Sequence, residues 1–219
     1  MAALFEPGDA LLVVDVFNDF DHEDGEQLLE SFDERAANMA QALRSARQAQ
    51  IPVVYVNDER GRWQSDAPGL IRAAVSGKGG RLIQALVPTG DEPVILKQRY
   101  SAFDHTGLDL LLESLPVERV ILIGSAVEGC VVQTAIDARE LGLKVSILSD
   151  ACATTDQELE EVALRYASRV VGVRVEQTEA VARSGGFGAD RPGDEPVVLL
   201  RTREEHSDGR ADTSRGEAG

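Results

Sequence analysis

The amino-acid sequence predicts an α/β protein: a three-layer, doubly wound sheet of six mainly parallel strands in the order 3-2-1-4-5-6, with helices on both faces. Three observations point there. Short apolar runs without alternation, such as ALLVV (10–14) and RVILIG (119–124), suit strands covered on both sides. Longer stretches between them carry apolar residues at helical spacing. The two kinds alternate along the chain, as right-handed β-α-β crossovers require.

The first strand is ALLVV (10–14), and a helix runs from about Leu28 to Gln50, with Leu28, Phe32, Met39, Leu43 and Ala46 mostly on one face. Pro52 precedes the second strand, VVYV (53–56). The long loop NDERGRWQSDAPG leads to short helical pieces near Leu70–Val75 and Arg81–Leu86, then to the third strand, PVILK (93–97). A helix starting at His105 or Thr106 reaches about Leu115 and is stopped by Pro116. The fourth strand, RVILIG, precedes a helix from about Cys130 to Leu141 that Gly142 caps. KVSIL (144–148), the amphipathic segment QELEEVALRYAS and VVGVRV (170–175) supply the fifth strand, a last helix and the sixth strand.

This organisation predicts one domain over residues 1–185. From about Ser184 the chain turns glycine-rich, charged and nearly free of aromatics, so 186–219 reads as a polar extension, largely disordered, with EPVVLLR (195–201) as an optional edge strand. A chain of 219 residues with 43% hydrophobic and 27% charged residues can bury a full core without staples. Its net charge of -16 repels polyanions, so neither nucleic acid nor an anionic membrane surface is expected as a partner. No stretch approaches the ~20 apolar residues of a membrane span, and the N-terminus lacks the basic region of a secretory leader. Two cysteines, Cys130 and Cys152, are too few for a disulfide framework and suit a reducing cytoplasm.

Ligands in open parallel sheets bind beyond the carboxyl ends of the strands, where strand order reverses. Strand one ends in Asp15, strand three in Lys97, and strand four runs into a loop leading to Cys130. In the predicted order an acid, a base and a thiol therefore emerge on one edge, with Asp15 and Cys130 flanking the switch point. The segment GSAVEGCVVQTAIDARELG places the thiol in the first turn of a helix, where N–H groups and the helix dipole favour anions.

These residues resemble the isochorismatase-like cysteine hydrolases, a family that includes nicotinamidases. LLVVDVFNDF is similar to its first-strand motif, VILKQRYSAF to its third-strand motif, and GSAVEGCVVQTAIDARELGLKV to its nucleophile motif. The likeness spans about residues 9–183. It implies Asp15 as general base, Lys97 as its partner and Cys130 as nucleophile. It further implies a cis peptide between Ser125 and Ala126, an oxyanion hole formed by the N–H groups of Ala126 and Cys130, and assembly into a dimer or tetramer. The reaction expected is cleavage of a carbon–nitrogen bond, amide or ureido, in a small molecule through a thioester. Isochorismate-type vinyl-ether hydrolysis is the runner-up within the fold. A catalytically silent binding protein is the competitor outside enzymology. A thiol redox role lacks a resolving cysteine at CxxC spacing.

Many nicotinamidases hold a metal through an Asp-x-His pattern and further histidines after the second strand. Here YVNDERGRWQSD offers Asp58 and Glu59 but no histidine, so no metal is expected, no cofactor is expected, and nicotinamide is disfavoured as substrate. Phe17 stands where the family commonly has glutamine. Residues expected around the substrate are Phe17, Phe20, Asn57, Trp63, Tyr100, Phe103 and Val127. Trp63 reads as a pocket wall or lid, His105 as a helix-start residue, His22 as solvated and Cys152 as a small core residue.

Overall fold

The structure, a computed structural model, describes residues 4–59 and 66–178. Its sheet has six strands, all paired in parallel, in the order β3-β2-β1-β4-β5-β6. The strands are β1 (Asp9–Val14), β2 (Val53–Asp58), β3 (Val94–Lys97), β4 (Arg119–Ser125), β5 (Lys144–Ala153) and β6 (Arg174–Glu176). The helices between them are α1 (Gly25–Gln48), α2 (Ala67–Ser76), α3 (Gly80–Ile83), α4 (Leu108–Glu113), α5 (Val132–Glu140) and α6 (Gln157–Tyr166). This is the predicted architecture and strand order.

Side chains alternate across a strand, so β1 feeds two cores. Leu11 and Val13 join a cluster with Phe32, Met39 and Leu43 of α1, whereas Ala10, Leu12 and Val14 join one with residues of α4 and α5. Every residue of β1 and β4 is buried, which is why both read as continuous apolar runs. α2 starts where Asp66 accepts a hydrogen bond from Gly69 N at 2.5 Å, with Pro68 in its first turn.

Four boundaries differ from the sequence expectation. His105 does not open α4: it is exposed with φ +58°, and the helix begins only at Leu108, after Thr106 has turned its hydroxyl onto Ala102 O. α5 is preceded by a widened, π-helical turn, Val127–Val131, so Cys130 lies in that turn. β5 continues past Leu148 to Ala153, after an irregularity in its pairing with β4 between Leu122 and Gly124. β6 is shorter than expected, because Val170 and Val171 finish a second π-helical turn (Ala167–Val171) and Gly172, at φ +76°, ends it. The expected polar extension, EPVVLLR and Trp63 lie outside the described residues.

Candidate active site

β1, β3 and β4 end on the same edge of the sheet, and Asp15 is the residue immediately after β1. Its backbone turns into the left-handed region (φ +49°) while its amide still donates to Val56 O at 2.9 Å. β4 approaches closely here. A Cβ on Gly124 would lie 1.9 Å from Val14 O, and the backbone has φ +130°, so only glycine fits. Ser125 then donates its hydroxyl to Asp15 O at 2.9 Å, tying the two strand ends together. The next peptide, Ser125–Ala126, is cis, as the resemblance implies.

At this edge the three reactive side chains meet. Lys97 Nζ lies 2.8 Å from Asp15 Oδ2 and 3.3 Å from Cys130 Sγ, and donates to Arg99 O at 2.9 Å. Asp15 Oδ1 accepts from Asp58 N at 2.5 Å. The Lys97–Oδ2 contact is an ion pair without hydrogen-bond geometry, and the carboxyl also engages the Cys130 thiol.

The Lys97 side chain has no exposed surface and the Asp15 side chain only 13%. Burial raises the Asp15 pKa above its ordinary value, and the neighbouring ammonium only partly offsets this. Burial, and then the Asp15 charge, push the Cys130 thiol up to about 12, against the pull of Lys97. Burial works against the Lys97 ammonium too, but Asp15 and Cys130 outweigh it and hold its pKa above the usual lysine value. Burial therefore holds the thiol neutral, beside a charged ammonium and a carboxyl group more basic than usual.

The residues expected around the substrate fall into distinct places. Tyr100 is 63% exposed, and its ring borders Gly129 in the nucleophile turn. Phe103 packs partly buried with Cys130 against the second core, where Val127 is fully buried. The loop that carries Tyr100 and Phe103 is pinned to α5 by Ala102 N donating to Thr134 Oγ1 at 2.9 Å. Phe17 and Phe20 belong to the first core. Phe17 stacks on Tyr55 with ring centroids 5.4 Å apart, and Phe20 meets Phe32 edge-on at 5.5 Å. Asn57 spends its amide on the backbone: Oδ1 accepts from Phe17 N at 2.9 Å, and Nδ2 donates to Asp58 O at 3.2 Å and Phe17 O at 3.4 Å. Cys152 is buried within β5.

Two features went unread in the sequence. Asn57 braces the turn after Asp15, which depends on how near β2 lies to that turn. Glu128, two residues before the cysteine, accepts from Thr154 Oγ1 at 2.7 Å, Thr155 N at 2.9 Å and Thr155 Oγ1 at 2.5 Å, fastening the nucleophile turn to the β5–α6 loop. A carboxylate in the first turn of a helical segment followed later by a TT pair was the available signal.

Among the described residues no group of three or more His, Cys, Asp or Glu side chains is placed to hold a metal. His22 lies 3.4 Å from Asn18 Nδ2, and His105 pairs with Asp104 on the surface. No helix among them is long and apolar enough to cross a membrane.

Comparison with known proteins places this site in context. The isochorismatase domain matches residues 9–179. The chain is 30% identical to YaaI, an isochorismatase family protein of Bacillus subtilis (strain 168), over 78% of this chain and 95% of that protein. It is similar to the nicotinamidase SaPncA from Staphylococcus aureus, with 27% identity and a TM-score of 0.63, covering 78% of this chain and all of that one. It also resembles N-carbamoylsarcosine amidase from Thermoplasma acidophilum, with 27% identity and a TM-score of 0.57, over 78% of this chain and 96% of that one. With a domain match over most of its length and a shared fold, the chain belongs to the isochorismatase family of hydrolases.

Proposed function

We propose that this protein is a metal-independent cysteine hydrolase acting on a carbon–nitrogen bond, amide or ureido, of a small molecule. One observation carries the reading: a single buried ammonium, Lys97, touches both a carboxylate and a thiol at the mouth of the parallel sheet. Two of the solved structures that the chain resembles are named as amidases, which favours carbon–nitrogen cleavage.

The chemistry follows from the proton inventory. Asp15, whose carboxylate is made basic by burial, takes the Cys130 proton as the sulfur attacks the substrate carbonyl. Lys97 stays charged and balances the negative charge as it passes from carboxylate to sulfur. The carbonyl π electrons move onto oxygen, which the backbone N–H groups of Ala126 and Cys130 receive, a contribution of about 3–4 kcal/mol per donor. Collapse of this adduct breaks the carbon–nitrogen bond, and Asp15 returns its proton to the leaving nitrogen. Water then attacks the thioester, giving its proton to Asp15, and the expelled thiolate recovers it. Tyr100, Phe103 and Val127 form the apolar surroundings of the acyl group.

The test is a panel of small amides and ureido compounds with wild type and Cys130→Ala, together with mass mapping after iodoacetamide treatment. Turnover is expected in wild type only, with label on Cys130 and the melting temperature unchanged by the substitution. Full activity in the alanine variant would overturn the proposal.

A further inference from the structure

The turn that carries Cys130 is held by contacts outside itself. Val127–Val131 is wound at π-helical width, with Val131 N donating to Ala126 O at 3.2 Å, a conformation rare in proteins and frequent at functional sites. A turn so seldom adopted needs support beyond its own hydrogen bonds. Val127 and Val131 give part of it by packing in the second core. Glu128 gives the rest by reaching the β5–α6 loop, where Oε2 accepts from Thr154 Oγ1 and Oε1 from both N and Oγ1 of Thr155.

The support does not stop at that loop. Thr154 is buried just past the end of β5, and its N–H donates to Ser31 Oγ of α1 at 2.9 Å. The same oxygen accepts from Arg35 Nη1 at 2.7 Å, and Arg35 Nη2 goes on to Glu160 of α6 at 3.0 Å. One line of bonds thus runs Arg35–Ser31–Thr154–Glu128 and ends two residues before the sulfur. It joins the two faces of the sheet, because α1 covers the first core while Cys130 packs with the second. The protons along the line show what position 128 must supply. Thr154 Oγ1 has one hydrogen but two acceptors in reach, Glu128 Oε2 at 2.7 Å and Asp156 O at 2.8 Å. A glutamine amide would donate to Thr154 Oγ1 and leave that hydrogen to Asp156 O, while its oxygen still accepts from Thr155. Glutamine therefore keeps the support, and alanine removes it.

We propose that Glu128 and Ser31, joined through Thr154, are positioning residues of the hydrolysis, together setting the turn that aims the Cys130 sulfur at Lys97 and Asp15. This rests on the reading of Cys130 as nucleophile. Two measurements test it: steady-state kinetics on an amide or ureido compound that wild type cleaves, and the rate of Cys130 alkylation by iodoacetamide against pH. Glu128→Ala should lower kcat about 10²-fold with KM within about twofold, the cost of misplacing a reacting atom by about an ångström. Ser31→Ala should lower kcat about tenfold, and the double variant should be no slower than Glu128→Ala, since both act through Thr154. Glu128→Gln should stay within about threefold of wild type. Alkylation of wild type should still accelerate at about pH 10, because burial pushes the thiol up to about 12; in both alanine variants it should level off nearer the ordinary 9.0. Lost stability alone would lower the melting temperature and leave that alkylation profile in place. A Glu128→Ala variant with wild-type kcat and alkylation profile overturns the proposal. So does a glutamine variant as slow as the alanine one, which would make the charge itself the agent, and so do losses that simply multiply in the double variant. Full activity in Cys130→Ala would sink the proposed function instead, and the alkylation profile would still decide the positioning role.

Discussion

β1 has an acid at each end, and the two ends behave differently. At its start Asp9 receives Arg119 of β4 through two bonds, Nε to Oδ1 at 2.7 Å and Nη2 to Oδ2 at 2.5 Å, both buried. Just beyond its finish Asp15 receives Lys97 of β3, and a thiol sits on the same ammonium. The first pair is closed: a planar fork fills both carboxylate oxygens, and a guanidinium does not give up its proton. The second is open: one oxygen takes a backbone N–H, the other meets a cation without hydrogen-bond geometry, and a proton donor stands beside it. The lesson is that charge pairing alone does not mark a reactive site. What marks it is a carboxylate left short of aligned donors next to a group with a proton to give.

Substitutions can break this contrast at either end. The largest effect belongs to Asp15→Asn, which keeps the shape but removes the proton acceptor; turnover of an amide substrate should fall by about 10⁴-fold, as steady-state kinetics would show. Next, Arg119→Met leaves the Asp9 carboxylate buried without its partner, and urea unfolding should report a loss of about 3–5 kcal/mol. Lys97→Met should lower turnover less than Asp15→Asn does and destabilise less than Arg119→Met, because Asp15, with its raised pKa, can take up a proton in the partner's absence. The smallest effect is on the pH dependence of stability. At Asp15 and at Lys97 alike the folded state holds its proton more tightly than the unfolded chain. Where the native state binds more protons, stability falls as pH rises. Their contribution should therefore be complete below the ordinary carboxyl value of 3.8, decline as pH rises through the raised Asp15 pKa, and decline again above 10.5 as it passes that of Lys97. Denaturation of Asp15→Asn across pH should lack the first decline and weaken the second, because the Asp15 charge is the main support of the raised Lys97 pKa.

Much of this was legible in the sequence, for a reason visible in β1. A strand buried on both faces has no alternation to misread, and a polar residue that ends such a run must lie at the sheet's edge. Asp15 and Lys97 were placed at that edge in this way, and Cys130 by the loop into which the fourth strand runs. What stayed hidden depends on approach distances between strands. Asn57 looked like a ligand for substrate, being polar and at a strand end, but its amide is committed to Phe17 and Asp58. Phe17 and Phe20 lie near Asp15 along the chain, but the sheet puts them in the first core while Cys130, Phe103 and Val127 pack with the second. Linear spacing says nothing of which face a post-strand turn will choose. VVGVRV carried the apolar pattern of a strand, but the last turn after α6 uses its first two valines, and Gly172 reverses the chain before β6 can pair.

The Lys97 nitrogen has one further implication. It is bounded by the carboxylate, the sulfur and the carbonyl of Arg99. Two of the ammonium's three hydrogens go to the sulfur and the Arg99 carbonyl, and the carboxylate's charge takes a third side. An incoming carbonyl oxygen would have to compete with these groups, so its polarisation falls to the main-chain N–H groups of the proposed oxyanion hole. The lysine acts as a fixed counterion for the protein's own groups, and recognition of the molecule to be cleaved falls to other residues.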